Sequence, residues 1–583
     1  MTREADTANR KSANCRWRFA CAPSGAEPVA LPHTHSLSQT AGPNLSWLNG
    51  AALYQIYPLS FRDHGGDGWG DLDGVIEGLD HVASLGVDGI WISPFYPSPR
   101  TDFGYDVADH RAVDPRMGNL AVFDRLIERA HGLGLKVLVD LVCGHTSDSH
   151  DWFVESRRSR NNDKSDWYVW ADAKPDGTAP NNWLSVFGGA AWNWEPRRRQ
   201  YYLHHFLASQ PALNLHHPAV MDALCETAEF WMQRGVDGFR IDAVDFFAHD
   251  PQLRSNPAAI WREAEPPLKP FALQQHVYDM MHPAIGGILS RLRETVERYP
   301  GRVLLGELSS QPGAGQRIAA YCTPQGLHAA YTLSLAKQPF SAKGFAQALG
   351  AAGRPDSICW SLSNHDVERA ASRWLPAGAD PQSFNALLAM LAASLPGTVC
   401  LYQGEELALP NAVLEQHQLR DPFGITYWPD FQGRDGSRTP IPWRGGEPHA
   451  GFSIAEPWLP VSDAHRDLAI DRQERTAGSP LAVWRAALSL RRDLEALRSG
   501  SVIAVEEHGD LLSFERTTGD DRLLAVFNMA DRPAEFALRG RGEPEALSIP
   551  RAPGALPPEL TTDGRTLVMP PLSVFLGRLR PAS

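Results

Sequence analysis

The chain has 583 residues, 43% hydrophobic and 21% charged, proportions that exclude a disordered or collagen-like protein. Lys and Arg total 55 against 68 Asp and Glu, and the net charge of -13 leaves no basic footprint for nucleic acid. No apolar run approaches the roughly 18 residues of a membrane span, so no membrane partner is expected. Seven scattered cysteines without CxxC or zinc spacing suit reduced thiols in a cytoplasm. At roughly 150 residues per domain the length allows about four domains, which is a ceiling. Eighteen tryptophans supply flat faces suited to cores and to sugar rings.

Residues 1–44 are expected to form a disordered tail or to reflect an over-long start site. Arg3, Arg10, Lys11, Arg16 and Arg18 resemble the basic start of a signal, but the apolar stretch after them is too short. From Leu53 short apolar runs alternate with amphipathic segments. The spacing predicts strands over 53–57, 89–93, 136–142, 238–241, 303–306, near Tyr331, over 357–362 and over 398–402, with helices such as 119–132 and 218–234. Several of these strands are apolar on both faces, as in a parallel sheet covered by helices. Alternation over about 350 residues predicts an α/β fold, a (β/α)8 TIM barrel, within 45–500.

Two gaps interrupt this alternation. About 70 residues between Val142 and Pro218, dense in Trp, Asn, Asp and Arg, exceed any ordinary βα loop. They predict an inserted loop domain after strand 3, spanning 144–216. A second gap, rich in Pro, Gly and aromatics, runs from Tyr402 to about Pro480; insertions at these strand ends are where barrels build substrate pockets. After a last helix over 481–497, alternating runs at 511–514, 523–527 and 573–576 predict a C-terminal antiparallel β-sandwich domain over 501–583.

The residues that follow the apolar runs are acidic. Strand three ends in Asp140 and leads to His145. Strand four reads Gly238-Phe-Arg240-Ile-Asp242, strand five ends in Gly306-Glu307, and strand seven leads into Asn364-His365-Asp366. With no Ser-His-Asp order and no phosphate loop, such a mouth suits acid–base chemistry on a neutral, hydroxyl-rich substrate. The pairs His204-His205 and His216-His217 are read as structural, because adjacent side chains point apart.

With these motifs in order the sequence resembles glycoside hydrolase family 13, the α-amylase superfamily, and within it the α-glucosidase and oligo-1,6-glucosidase branch. The likeness runs from about Trp47 to Leu576. It also includes Asp102-Phe-Gly-Tyr105-Asp106, Gln210-Pro-Ala-Leu-Asn214 and Gly433-Arg-Asp-Gly-Ser-Arg438-Thr-Pro-Ile-Pro-Trp443. The resemblance implies Asp242 as nucleophile, Glu307 as general acid/base and Asp366 as transition-state stabiliser of a retaining reaction. It implies that Asp102, Tyr105, His145, His365 and Arg438 hold the glucosyl ring. Tyr105 would stack on the sugar, and Asp102 with Arg438 would recognise its terminal hydroxyls. Arg240 is expected to keep Asp242 ionised while Glu307 stays protonated, their pKa values pushed apart.

Asp63-His-Gly-Gly-Asp67-Gly-Trp69-Gly-Asp71 has the spacing of half an EF-hand loop, and the resembled branch binds calcium there. A structural calcium ion held by Asp63, Asp67, Asp71 and the Trp69 carbonyl is the expectation, with a solvated turn as its alternative; Gly65 removes one ligand oxygen. No organic cofactor is expected. Gly144 and Ala212 replace an Asn and an Asp usual in the branch. Ala243, after the nucleophile, is small where α-1,6-preferring relatives carry Val. The expectation is thus an exo-acting, retaining α-glucosidase of short, maltose-like α-1,4 glucosides, cytoplasmic and a monomer or small homo-oligomer. A transglucosylase or isomerase using the same site is one alternative, and a catalytically inactive barrel serving as an interaction module is another.

Overall fold

A computed structural model describes residues 47–579 apart from 261–266, 352 and 542. The expected tail over 1–44, with Cys15 and Cys21, lies outside the described residues. Eight parallel strands close into a barrel: Ala52–Ile56, Gly89–Ile92, Lys136–Leu141, Gly238–Ile241, Val303–Leu308, Ala329–Thr332, Ile358–Ser361 and Thr398–Tyr402. The first strand pairs with both the second and the eighth, which removes every free edge. Glu307 lies inside the fifth strand, paired with Tyr331, whereas the sequence pattern ended that strand at Gly306. The apolar run breaks at Gly306 and resumes at Leu308, and the carboxylate between them sits in the strand without breaking its ladder.

Side chains alternate along each strand, so every second residue enters the barrel. Leu53, Trp91, Leu138, Val303, Leu305, Ala329, Tyr331, Cys359 and Cys400 form one fully enclosed cluster there. Two residues further along the same faces come Gln55, Asp140 and Glu307, with Arg240 on the fourth strand and Asp242 directly after it. An apolar layer thus forms the floor under a polar one at the C-terminal mouth, where barrels of this kind carry their sites. The helices outside are stopped by side-chain caps: Asp71 accepts from Gly74 N at the start of Leu72–Ser84, and Asn119 from Ala121 and Val122 N before Leu120–Gly132.

Between the third and fourth strands a three-stranded sheet, with Gln200–Leu203 between Trp170–Ala171 and Trp192–Glu195, packs around its own apolar cluster. Ala212 is buried in that cluster with Trp183, Trp192 and Leu203, where a carboxylate would lack a partner. The last barrel helix runs over Pro480–Asp493 and breaks at Leu494 before Glu495–Arg498. After it a five-stranded and a three-stranded antiparallel sheet follow, and Leu524, Val526, Phe536, Leu567, Met569 and Phe575 from the two sheets share one core.

Arg491 fastens the closing helix to the barrel. It is 2% exposed, and its guanidinium donates to the carbonyls of Gly50, Ala393, Leu395 and Gly397, around the starts of the first and eighth strands. Arg491→Met would leave those carbonyls unpaired. It is expected to cost about 3 kcal/mol, read by calorimetry as a lower melting temperature; an unchanged one would assign the closure to helix packing alone.

Candidate active site

Arg240 sits at the base of the mouth with no solvent exposure. Its Nη1 donates to Asp140 Oδ1 at 2.6 Å and to Asp242 Oδ1 at 2.7 Å, and its Nη2 lies 2.7 Å from Glu307 Oε2. Trp91 flanks the guanidinium at 4.8 Å and donates its Nε1 hydrogen to Asp140 Oδ2 at 2.7 Å. One cation therefore gathers three carboxyl groups from three strands. Asp140 is sealed, whereas the side chains of Asp242 and Glu307 are 10% and 15% exposed and face outward.

Ala243 follows Asp242 in the left-handed region, φ 47°, and this turn aims its amide at Glu307 Oε2, 3.2 Å away. A methyl group tolerates that conformation better than a β-branched side chain does. The conformation thus supplies a backbone donor to Glu307 and favours a small wall beside it. Gly144 leaves room as well: a Cβ there would meet only Phe247 ring atoms, at 3.7 Å.

Asp366 belongs to a second set of charges. Arg438 donates to its Oδ1 at 3.0 Å and Arg434 at 3.1 Å, and His365 Nε2 lies 3.3 Å from Oδ2. Gln55 donates to His365 Nδ1 at 2.7 Å, placing the ring hydrogen on Nε2. The His365 ring stacks between Tyr105, at 5.2 Å and 6°, and Tyr57, at 5.8 Å and 13°. His145 hydrogen-bonds through Nε2 to the Tyr105 carbonyl at 3.0 Å and packs on Phe206. Gln210 donates to Asp102 Oδ2 at 3.0 Å, bringing the inserted sheet to the pocket wall.

The arginine expected beside Asp102 is a different one. Arg438 is fully buried, and its Nε donates to the His365 carbonyl. Arg434, four residues earlier, donates to Asp102 Oδ1 at 2.8 Å and to Asp421 at 2.7 Å. The fold uses both arginines of the motif, Arg438 beneath Asp366 and Arg434 at the open side. Nothing in their spacing distinguishes the two, so the sequence could not assign them. Arg434 and Asp421 were therefore absent from the expected site, and Gln210 was recognised only as part of a motif.

Asp242 and Glu307 share one buried environment, and both move in the same direction. Burial raises both toward neutrality; Arg240 opposes this, and nearby negative charges, their own included, add to it. Asp140 is likewise raised by burial, to about 6. Asp366 differs: burial would raise it, but His365, Arg434, Arg438 and Arg240 together hold it well below the usual carboxyl range. Burial keeps His365, at about 3, and His145, at about 4, neutral at ordinary pH. The division of protons therefore falls between Asp366 and the Asp242–Glu307 pair.

The expected calcium loop is closed by its own backbone. Asp63 accepts from Gly66 N, Gly68 N and the Ser453 hydroxyl, and Asp71 from Gly65 N, His64 N and Gly74 N. Asp67 is exposed and accepts from Trp69 N. A side chain at Gly65 would start 3.3 Å from Asp71 Oδ2 and 3.7 Å from Asp63 Oδ1, so the missing ligand leaves a gap between them. Among the described residues no three Asp, Glu, His or Cys side chains are grouped for a metal. The residues present fit a carboxylate-capped turn better than a calcium site. The paired histidines are structural too: His204 bonds the Phe206 carbonyl and His205 packs on Phe246.

An acidic cluster built on one guanidinium at the mouth of a closed parallel barrel defines a barrel enzyme of acid–base type. The alpha-amylase catalytic-domain model matches residues 55–500, and the chain belongs to that family, glycoside hydrolase family 13. A Rhizobium meliloti (strain 1021) protein named "Probable alpha-glucosidase" is 49% identical over 502 residues, 84% of this chain and 91% of that protein. An oligo-1,6-glucosidase of Heyndrickxia coagulans is 32% identical over 535 residues, 84% and 93% of the two chains. The solved alpha-glucosyl transfer enzyme XgtA superposes with a TM-score of 0.87 at 46% identity, covering 92% of this chain and 100% of its own.

Two outcomes follow from these geometries. Because burial holds a proton on the Asp242–Glu307 pair, kcat/KM should be bell-shaped, centred at about pH 7. It should fall on the acid side as the pair takes a second proton and on the alkaline side as it loses its only one; a rate still rising above pH 9 would contradict a shared proton. The melting temperature should be the same in calcium and in EDTA, whereas a rise with calcium would mean that the loop reopens to take the ion.

Proposed function

We propose that the protein is an exo-acting, retaining α-glucosidase that cleaves terminal α-1,4 bonds of short maltose-like or aryl glucosides. The observation that carries this reading is the shared guanidinium: Arg240 holds Asp242 and Glu307 side by side, as double displacement at one carbon requires. Asp242 attacks the anomeric carbon while Glu307 gives its proton to the leaving oxygen. The covalent glucosyl-enzyme then forms, and Glu307, now a carboxylate, takes a proton from water as the water displaces Asp242. Asp366, kept anionic by Arg434 and Arg438, offsets the positive charge that develops on the sugar ring.

The glucosyl pocket is walled by Asp102, Arg434, His145 and Gln210, which come from three separate loops; this blocks passage of a polymer and favours a chain end. The methyl of Ala243 supports the α-1,4 preference. Trp91, Trp183, Trp231, Trp360 and Trp484 are fully buried, so these tryptophans act as scaffold rather than as sugar platforms. The free, buried Cys143, Cys225, Cys322, Cys359 and Cys400 fit work in the cytoplasm. No helix among the described residues is long and apolar enough to cross a membrane. Transfer of glucose to another sugar hydroxyl is the second reading, consistent with the likeness to XgtA and to the isomaltulose synthase of Erwinia rhapontici NX5, 29% identical with a TM-score of 0.81.

Hydrolysis of an aryl α-glucoside followed by NMR should show α-glucose as the first product. Asp242→Asn should lower kcat at least about 10³-fold. First-formed β-glucose would refute retention. Faster turnover of isomaltose than of maltose would overturn the linkage assignment, and accumulation of oligosaccharides from concentrated maltose would favour transfer.

A further inference from the structure

Shortly after Asp242 the chain carries another carboxylate, outside the set that Arg240 gathers. Asp245 lies in the short turn Val244–Phe246 that follows Ala243, and it has no solvent exposure. A carboxylate in such a place needs partners, and they come from the segment that follows Glu307. Its Oδ2 accepts from the Ser309 amide at 2.8 Å and from the Ser309 hydroxyl at 2.6 Å, and Arg317 Nε lies 3.3 Å from the same oxygen. Arg317, buried on the helix Ala314–Tyr321, directs its other donors at the same loop. Its Nη1 donates to the Pro312 carbonyl at 2.6 Å, and its Nη2 to the carbonyls of Ser309 at 2.9 Å and Gln311 at 2.8 Å. The main-chain oxygen of Asp245 accepts from Met281 N at 2.6 Å, so the end of the long segment after the fourth strand is tied to the same residue.

These bonds begin where the barrel ladder ends. The fifth strand pairs with the fourth only as far as Gly306 opposite Ile241, whereas toward the sixth it pairs on to Leu308 opposite Thr332. Glu307 thus stands just past the last pair that joins its strand to the strand of Asp242. Arg240 and the Ala243 amide grip the Glu307 carboxylate itself, and neither fixes the main chain that carries it. Asp245 does so from the next face position, because Ser309 lies two residues beyond Glu307. Close packing supports the tie: a Cβ at Gly306 would meet Val244 Cγ2 at 3.1 Å and Leu327 Cδ1 at 2.3 Å, so the bare glycine lets the turn lie against the strand.

We propose that Asp245, held by Arg317, is a positioning residue for the proton on Glu307: it fixes the end of the fifth strand against the nucleophile turn, so that Glu307 reaches the departing oxygen while Asp242 attacks. This rests on the α-glucosidase reading. In the first step the anomeric C–O bond breaks, its electron pair stays with the oxygen, and the Glu307 proton neutralises that oxygen. A leaving group that departs as a stable anion needs no such proton. A displaced Glu307 therefore slows poor leaving groups more than good ones, whereas a general loss of folded enzyme lowers both alike.

The test compares kcat/KM for phenyl and for 2,4-dinitrophenyl α-glucoside and reads the ratio of the first to the second, which cancels the fraction of active protein. In Asp245→Ala the ratio should fall at least about tenfold. In Ser309→Ala, which removes one hydroxyl and leaves the buried charges paired, it should fall at least about threefold; this variant decides the matter if Asp245→Ala does not fold. Asp245→Asn, still able to accept from Ser309, should stay within about twofold of the wild type. A ratio unchanged in either alanine variant, or lowered as far in Asp245→Asn as in Ser309→Ala, overturns the proposal. Failure of the wild type to hydrolyse either glucoside would instead overturn the α-glucosidase reading.

Discussion

The buried guanidinium of Arg240 organises everything above it. Three carboxyl groups, Asp140, Asp242 and Glu307, lie within 2.7 Å of one unit of positive charge that has no contact with water. They cannot all be ionised in such a place at neutral pH, because the cation balances only one of them. Protons must remain in the cluster, and the groups nearest the cleft are the ones able to exchange them with a substrate. The indole hydrogen of Trp91 and the Arg240 bond favour the charged form of Asp140, so the mobile proton belongs to the outer pair.

A few ångströms outward the arithmetic reverses. Asp366 has two arginines and needs no proton. The mouth is thus divided into a proton-rich half that can act as acid and nucleophile and a fixed anionic half that can act only by its charge. Neutral His365, clamped between Tyr57 and Tyr105 with its tautomer set by Gln55, separates the halves without carrying charge itself. Substituting either tyrosine would remove one face of this clamp.

Much of this was legible in the chain, for a physical reason. Parallel barrel strands are short, apolar and periodic, so Asp140, Asp242 and Glu307 stand out as departures from an expected apolar register, and a period of two places them on the interior face. Arg240 followed from the same counting. The loops carry no such ruler. Arg434 and Arg438 lie in one motif, and only the path of the loop decides which meets Asp102. Gln210 reaches the pocket because the inserted sheet folds back on the barrel, a long-range event with no local pattern. The spacing of Asp63, Asp67 and Asp71 has the same limit: ligand spacing fixes where oxygens can be, but backbone amides compete for them, and with Gly65 in the third position Asp63 and Asp71 are held by amides.

The loops also explain how one barrel floor serves different reactions. Asp102, Arg434 and Gln210 come from the second loop, the eighth loop and the inserted domain, and they meet through hydrogen bonds to Asp102. A change in any one loop moves the shared carboxylate and so reshapes the pocket without touching Arg240. In the proposed reaction, whether water or a sugar hydroxyl reaches the glucosyl-enzyme would then follow from the shape these loops give the pocket. The floor sets the chemistry and its proton count, and the rim sets which alcohol leaves or enters. Two enzymes of this architecture can therefore share every carboxylate and still make different products.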